Sequence, residues 1–173
     1  MSVLGFKDLA LANWTERDPV LDVFVKVTQE GVLEPLEPDA LVAEILLPQI
    51  QPSIPQDVRA LFEVARGCMC YGCFFYPLFT LATEQLYRVI EAGVRARVKA
   101  LSEPMAKKTY QSQIDFLIEN GVIPQADRLR WVAIRELRNI ASHPYMQEIL
   151  PPGNAIHRLG QCAETLNSLF AGA

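Results

Sequence analysis

Residues 75–101 read FYPLFTLATEQLYRVIEAGVRARVKAL and decide the fold class. At 100° per residue, the apolar side chains of this stretch fall on one stripe. The opposite stripe carries charged residues: Glu84, Arg88, Glu91 and Arg95. This pattern predicts a long amphipathic helix whose apolar stripe lies in the core. Each glutamate precedes an arginine by four residues, which favours two ion pairs on the solvent face, Glu84 with Arg88 and Glu91 with Arg95.

Helical patterns continue on both sides of this stretch. Toward the N-terminus, Pro55 and Asp57 open a helix that Gly72 interrupts, and Asp39 is expected to cap an earlier helix that runs to about Leu47. Toward the C-terminus, we expect helices over 111–119, 124–143 and 155–170. The first of these ends at Asn120-Gly121 and the second at His143, because the residue before Pro144 is driven out of helical geometry. The sequence therefore predicts an all-α, antiparallel helical bundle over residues 39–173.

The N-terminal residues 1–38 have a different pattern. The run 20–27 is rich in β-branched residues, and Gln29, Glu30 and Gly31 end the extended pattern after it. This predicts an extended arm with one strand. A single strand needs a partner. That partner can be the edge of the helical body, a hairpin within the arm, or another chain.

Composition limits the class of protein. The chain has 173 residues, of which 50% are hydrophobic and 21% charged, and this indicates one compact domain rather than a disordered chain. The net charge is -4, yet residues 1–62 carry four basic and ten acidic side chains, whereas residues 84–143 carry ten basic and seven acidic ones. The charge excludes a surface coated with positive charge for nucleic acid, but it permits a local site for an anion.

The sequence predicts a cytoplasmic protein without a membrane segment. The N-terminus lacks the pattern of a secretion signal. The most apolar run, 68–82, is shorter than the ~20 residues that cross a bilayer and is interrupted by Gly72 and Pro77.

Three cysteines lie close together in the sequence, Cys68, Cys70 and Cys73, and Cys162 is the fourth. Three thiolates could hold zinc if Cys162 or a histidine supplied the fourth ligand, but zinc ribbons present two separated pairs of ligands, which this spacing lacks. Thiols among aromatic neighbours are typical of buried apolar positions. We therefore expect neither a metal site nor a cofactor.

The helix predicted over 124–143 carries the candidate chemistry. Trp131, Arg135, Arg138 and Ser142 share one stripe, and two planar guanidinium groups beside a hydroxyl suit a phosphodiester. The residues expected to be buried lie on another face: Ala126, Ala133, Ile134, Leu137, Ile140 and Ala141.

His143 lies about 140° around an ideal helix from Arg138, so one straight helix does not aim both side chains at one atom. Either the helix end at Pro144 lets His143 turn, or a second copy supplies the missing group across a two-fold axis, which predicts a homodimer through this helix. The alternative is an ordinary amphipathic helix, with its arginines solvated or paired to Glu136 and the acidic N-terminal segment, and with His143 favoured by the helix dipole.

Residues 138–143 read RNIASH and resemble the signature of the HEPN superfamily, in which a polar residue follows an arginine and a histidine comes after four to six intervening positions. The segments 71–77 (YGCFFYP) and 83–87 (TEQLY) are similar to a helix entry of bacterial members. The resemblance covers roughly residues 55–170. It implies a HEPN-type bundle that dimerises so that two motifs face one another.

The resemblance also implies a function: a metal-independent endoribonuclease, such as a toxin or defence component, that leaves 2',3'-cyclic phosphate and 5'-hydroxyl ends. Arg138, Asn139 and His143 would be catalytic, and Arg135 and Ser142 would bind the RNA substrate. The alternative is a non-catalytic HEPN-type module that binds RNA, a nucleotide or a partner protein such as a nucleotidyltransferase-like antitoxin. A sequence-specific DNA-binding domain fits less well, because no recognition helix is evident and the net charge is negative.

Overall fold

The computed structural model describes residues 5–28, 30–141 and 150–172. Over these ranges the chain is mainly helical, with one small two-stranded sheet. The α-helices are α1 Pro38–Leu46, α2 Gln56–Tyr71, α3 Leu78–Leu101, α4 Tyr110–Glu119, α5 Arg128–Ala141 and α6 Pro152–Leu169. The strands are β1 Val25–Val27 and β2 Leu33–Pro35. The predicted helical class is confirmed at this level.

The helix α3 is the centre of the fold and packs most extensively against α2 and α6. Its predicted apolar stripe is confirmed: the side chains of Phe79, Leu86, Val89 and Ile90 are buried. The helix begins at Leu78 rather than near Phe75, after Pro77. No helix in the described ranges is both long and apolar enough to cross a lipid bilayer.

The N-terminal strand is shorter than predicted, and its partner is β2. Asp18 caps a 3-10 helix over Pro19–Val23 by accepting a hydrogen bond from the Val20 amide, so the strand covers only Val25–Val27. An aspartate N-cap followed by a proline in the first turn favours a 3-10 helix at these residues over an extended strand. Val25–Val27 then pairs antiparallel with Leu33–Pro35. Of the three partners that the sequence left open, the structure has the hairpin within the chain.

Buried contacts join this N-terminal segment to the helical body. The Asp18 carboxylate is fully buried and accepts a hydrogen bond from the Tyr76 amide at 2.9 Å. The Phe24 ring stacks on the Tyr76 ring with 5.8 Å between centroids, and Leu21 lies in the core. The segment is therefore anchored just before α3 begins.

Helix boundaries agree with the sequence where a glycine or proline sets them. The prediction that α2 follows Pro55 and stops near Gly72 is confirmed, and so is the end of α4 at Gly121, whose φ of 70° is the left-handed conformation that glycine adopts readily. The predicted cap at Asp39 is wrong: the N-cap is Glu37, no side chain caps α1, and Pro38 occupies its first turn.

Two other starts differ from the prediction. Pro124 begins a 3-10 turn over Gln125–Asp127, so α5 starts only at Arg128, and α6 starts at Pro152 rather than at Ala155. Proline fixes φ at a value that suits the first turn of a helix, which explains the early start of α6. The predicted end of the fifth helix at His143 lies outside the described residues.

Candidate functional site

Helix α5 carries three of the five candidate site residues within the described part of the chain. Arg135, Arg138 and Asn139 lie in its last two turns, and all three side chains are half-buried. Ser142 and His143 lie outside the described residues.

The orientation of α5 corrects the predicted buried face. Trp131 is only 5% exposed, whereas Leu137 and Ile140, predicted to be buried, are 38% and 40% exposed. Of the predicted face, Ile134 does pack against the core, but Ala126 and Ala133 are exposed. The helix therefore buries Trp131 and turns Arg135 toward α4 and Arg138 toward α3. Arginine can make this turn because its long aliphatic stem packs on apolar surface while the guanidinium reaches a polar partner.

Arg138 is held by a carboxylate on α3. Its Nη2 donates to Glu91 Oε2 at 2.9 Å and to Oε1 at 3.2 Å, and its Nη1 lies 3.4 Å from Asn139 Oδ1. The Arg138 and Glu91 side chains are 43% and 37% exposed, so the guanidinium has a fixed partner and is still reached by solvent. The predicted surface pairs of α3 are wrong among the described residues, because Glu91 pairs with Arg138 rather than with Arg95 and no ion pair joins Glu84 to Arg88.

Arg135 belongs to a polar seam between α4 and α5. Its Nη1 donates to Gln111 Oε1 at 2.6 Å, and it forms an ion pair with Glu136, as the alternative interpretation of this helix expected. The Gln111 amide donates in turn to Asp115 at 3.1 Å, and Asp115 accepts from Arg128 at 2.8 Å. These contacts hold the guanidinium of Arg135 along the seam, on the same side of α5 as Arg138.

Tyr110 is a residue of this seam that sequence reasoning missed as a site residue. Its hydroxyl oxygen is buried and accepts or donates no hydrogen bond within the described ranges. Burial raises the pKa of the Tyr110 phenol far above its usual range, the negative charge of Glu91 adds to the rise, and the positive charge of Arg138 opposes it. The phenol therefore keeps its proton at neutral pH and is a potential hydrogen-bond donor beside Arg138 and Glu91.

Glu91 was also missed, because it lies on the charged stripe of α3 and was assigned to solvent. It borders a groove of about 890 Å³ along the outer side of α3. The charged residues that line this groove are Asp57, Arg88, Glu91, Arg95, Lys99, Glu103 and Lys107. Four cations and three anions give it a mixed surface with a small positive excess.

The cysteines lie in apolar surroundings. Cys73 and Cys162 are buried, and Cys68 and Cys70 are half-buried. Burial raises the pKa of all four thiols, and it raises that of Cys162 to about 12, so they remain protonated at neutral pH. No group of three or more histidine, cysteine, aspartate or glutamate residues within the described ranges is arranged to hold a metal ion.

The chain matches no model of a known protein family, no curated protein and no solved structure. Function is therefore inferred from the residues of this chain and the contacts that they make.

Proposed function

We propose that this chain is a metal-independent endoribonuclease of the HEPN type that acts as a homodimer, with Arg138, Asn139 and His143 as its catalytic residues. The observation that carries the proposal is the placement of Arg138 at the end of α5. Its side chain is 43% exposed, and its guanidinium is held by Glu91 and lies beside Asn139. An arginine held in this way can bind phosphate oxygens without first losing the freedom of a mobile side chain.

The residue types supply the chemistry that cleavage of RNA requires. The 2'-hydroxyl must lose a proton, the phosphorane carries extra negative charge, and the departing 5'-oxygen must gain a proton. His143 serves as base or acid, because an imidazole titrates near neutral pH. Arg138 neutralises the developing charge, and Asn139 orients His143 or the phosphate. The oxygen of the 2'-hydroxyl attacks phosphorus as the bond to the 5'-oxygen breaks, which gives a 2',3'-cyclic phosphate and a 5'-hydroxyl.

Arg135 and Ser142 are proposed to bind the RNA backbone next to this site. Arg135 lies on the same side of α5 as Arg138, and the groove along α3 is lined by Glu91, which contacts Arg138. Lys99 and Lys107 in this groove add cations at positions beyond the arginines. A single strand that follows these cations would be held mainly by its phosphates, so binding should weaken as salt rises.

The dimer is proposed because α5 exposes an apolar strip, defined by Leu129, Ala133, Leu137 and Ile140. Leu129 is 81% exposed, and the strip extends to the last turn of the helix. A second copy of the strip, related by a two-fold axis, would cover it with the same residues. Because each chain has one histidine in the motif, a mechanism with two histidines needs both copies.

The cellular role proposed for this activity is that of a toxin or a defence component, with an antitoxin or other protein as a further partner. Such a protein would act on RNA in the compartment where it is made. Its target sequence would be selected by the groove along α3 together with the second copy.

The test is cleavage of a 5'-labelled single-stranded RNA by the whole chain in the presence of EDTA. We expect products with 2',3'-cyclic phosphate ends, identified by mass spectrometry. His143→Ala and Arg138→Ala should each lower the rate by at least about 10²-fold. The matched controls are His157→Ala, which removes an exposed histidine on α6, and Arg66→Ala, which removes an arginine that pairs with Glu63 on α2.

A second candidate function is favoured by the Glu91 contact itself. A carboxylate 2.9 Å from Arg138 already neutralises part of its charge, which suits a module that binds RNA, a nucleotide or a protein without cleaving anything. Under this alternative the wild-type chain binds RNA or a partner, yet no cyclic phosphate forms at any protein concentration. That result, or cleavage that the His143→Ala variant retains in full, would contradict the endoribonuclease.

A further inference from the structure

A second concave site lies on the opposite flank of α5, between α3, α5 and α6. Its cavity volume is about 200 Å³. Leu86 and Ile90 of α3 and Ile134 of α5 form an apolar floor, and Arg130 and Arg158 border it from α5 and α6. Two cations around an apolar floor are a combination that fits a ligand with one charged and one apolar end.

Neutral hydroxyl groups hold both guanidinium groups of this pocket. Arg130 Nη2 donates to Thr165 Oγ1 at 2.7 Å, and Thr165 Oγ1 donates its own hydrogen to the Gln161 carbonyl at 2.7 Å. Arg158 Nη1 donates to the Tyr87 hydroxyl. Within the described ranges neither arginine forms an ion pair with a carboxylate, so neutral groups rather than anions make the closest polar contacts to both positive charges.

Tyr87 adds a donor to the same pocket. Its hydroxyl oxygen accepts from Arg158, which leaves the hydroxyl hydrogen for another acceptor. Burial raises the pKa of the Tyr87 phenol above its usual value, the nearby Arg158 opposes the rise through its charge and its hydrogen bond, and the charge of Glu84 adds to it. The phenol thus stays protonated at neutral pH and can donate to an anion bound by Arg158.

We propose that this pocket binds a compact phosphate monoester, with the phosphate between Arg130 and Arg158 and a small apolar body on the floor. Two guanidinium charges balance the two negative charges of such a phosphate, and their planar forks match its oxygens. A dry cavity of about 150 Å³ is known to hold benzene. A pocket of 200 Å³ with an open mouth therefore has room for a ring of that size.

This site does not include the proposed catalytic residues, but Ala133 and Leu137 line it and also belong to the apolar strip proposed as the dimer interface, so the pocket borders that interface. Arg130 and Ile134 face α3 and α6, whereas Arg135 and Arg138 face α4 and Glu91 of α3. A ligand in the pocket would occupy the other flank of the same helix. The proposal therefore does not depend on RNA cleavage.

Phenyl phosphate is the probe, titrated into the whole wild-type chain by isothermal calorimetry. We expect saturable binding to one site per chain. Arg130→Gln and Arg158→Gln should each weaken it at least tenfold, since each removes a charge-assisted contact. Arg128→Gln is the matched control, because it removes an arginine two residues from Arg130 that pairs with Asp115 instead, and it should leave the affinity unchanged.

Two further measurements keep the proposal falsifiable if an arginine variant loses stability. Gln161→Phe retains both arginines but places a ring from α6 into the pocket, and it should abolish binding. Benzoate, with one negative charge, and inorganic phosphate, without an apolar body, should each bind at least tenfold more weakly than phenyl phosphate. Absence of binding to the wild-type chain at millimolar phenyl phosphate, unchanged binding by Gln161→Phe, or equal binding of inorganic phosphate would each overturn the proposal.

Discussion

Replacement of Glu91 by glutamine tests whether Arg138 binds RNA phosphate. Glu91→Gln removes one negative charge beside the guanidinium but retains an oxygen that can accept from Nη2, which now lies 2.9 Å from the carboxylate. In the proposed site a phosphate and the Glu91 carboxylate compete for the same cation. We therefore expect the variant to bind RNA more tightly than the wild-type chain.

The size of the effect follows from the exposure of the pair. A phosphate bound to the outer side of the guanidinium would lie on the order of 6 Å from the carboxylate, and in water two unit charges at that distance repel by about 0.7 kcal/mol. This corresponds to an affinity gain of roughly threefold. The side chains of Arg138 and Glu91 are 43% and 37% exposed, so the value for water applies better than that for a buried pair. The free energy of unfolding should fall by no more than about 1 kcal/mol.

The assay is fluorescence anisotropy of a labelled 2'-O-methyl RNA, which lacks the nucleophile and stays intact. Glu84→Gln is the matched control, because it removes the same charge from α3 at a residue without an ion pair to Arg138 among the described contacts. The gain of Glu91→Gln should shrink as salt rises. If the wild-type chain binds and Arg138→Ala weakens binding, but Glu91→Gln binds no more tightly than Glu84→Gln, the competition at Arg138 is refuted.

Two other predictions concern the core. Burial in the folded chain raises the pKa of Cys162 from the ordinary thiol value of 9.0 to about 12. The protonated thiol therefore contributes its full share to the free energy of unfolding below pH 9, and this share is lost as the pH rises toward 12. Urea unfolding should therefore show the wild-type chain losing about 2 kcal/mol more than Cys162→Ala between pH 8 and pH 10.5; equal losses would contradict the burial of this thiol. Gly72→Ala should lower the melting temperature by the equivalent of about 1–3 kcal/mol, because the new Cβ would stand 2.6 Å from the buried Phe79 ring. Gly160→Ala is the control in thermal melts, since open space surrounds that Cβ position and the substitution should stabilise α6.

The sequence was sufficient for elements whose boundaries and faces depend on local chemistry. The α3 stripe from Leu78 to Gly93 was predicted from the helical period of its apolar residues, and the nine buried positions of α3, from Phe79 to Val98, follow that period. Gly121 ended α4 as predicted, because its φ of 70° is strained for residues with a side chain. In these cases the residues of one segment determine its buried face or its boundary.

The orientation of α5 could not be predicted in the same way. Apolar and charged residues are divided around this helix so that Trp131 lies on the same side as Arg135 and Arg138. The aliphatic residues on one face of this helix predicted that Leu137 and Ile140 lie in the core. The structure instead buries the large Trp131 ring and satisfies the arginines with Gln111 of α4 and Glu91 of α3. These partners are 24 and 47 residues away, so no local pattern indicates them.

This orientation places a requirement on the proposed site. Arg138 faces α3 through its contact with Glu91, while the apolar strip that would receive a second copy faces away from the body. If α5 continued as an ideal helix, the position of His143 would lie about 140° from Arg138 and near the face of Ile140. If both side chains come from one chain, the phosphate they reach must bind beyond the C-terminal end of α5; in the proposed homodimer, the second copy can instead supply the histidine. Because Pro144 favours an extended residue before it, the chain has a reason to leave the helical path at that point. His143→Ala should thus abolish cleavage, whereas Ile140→Glu should abolish it only by separating the two copies, which sedimentation velocity would detect.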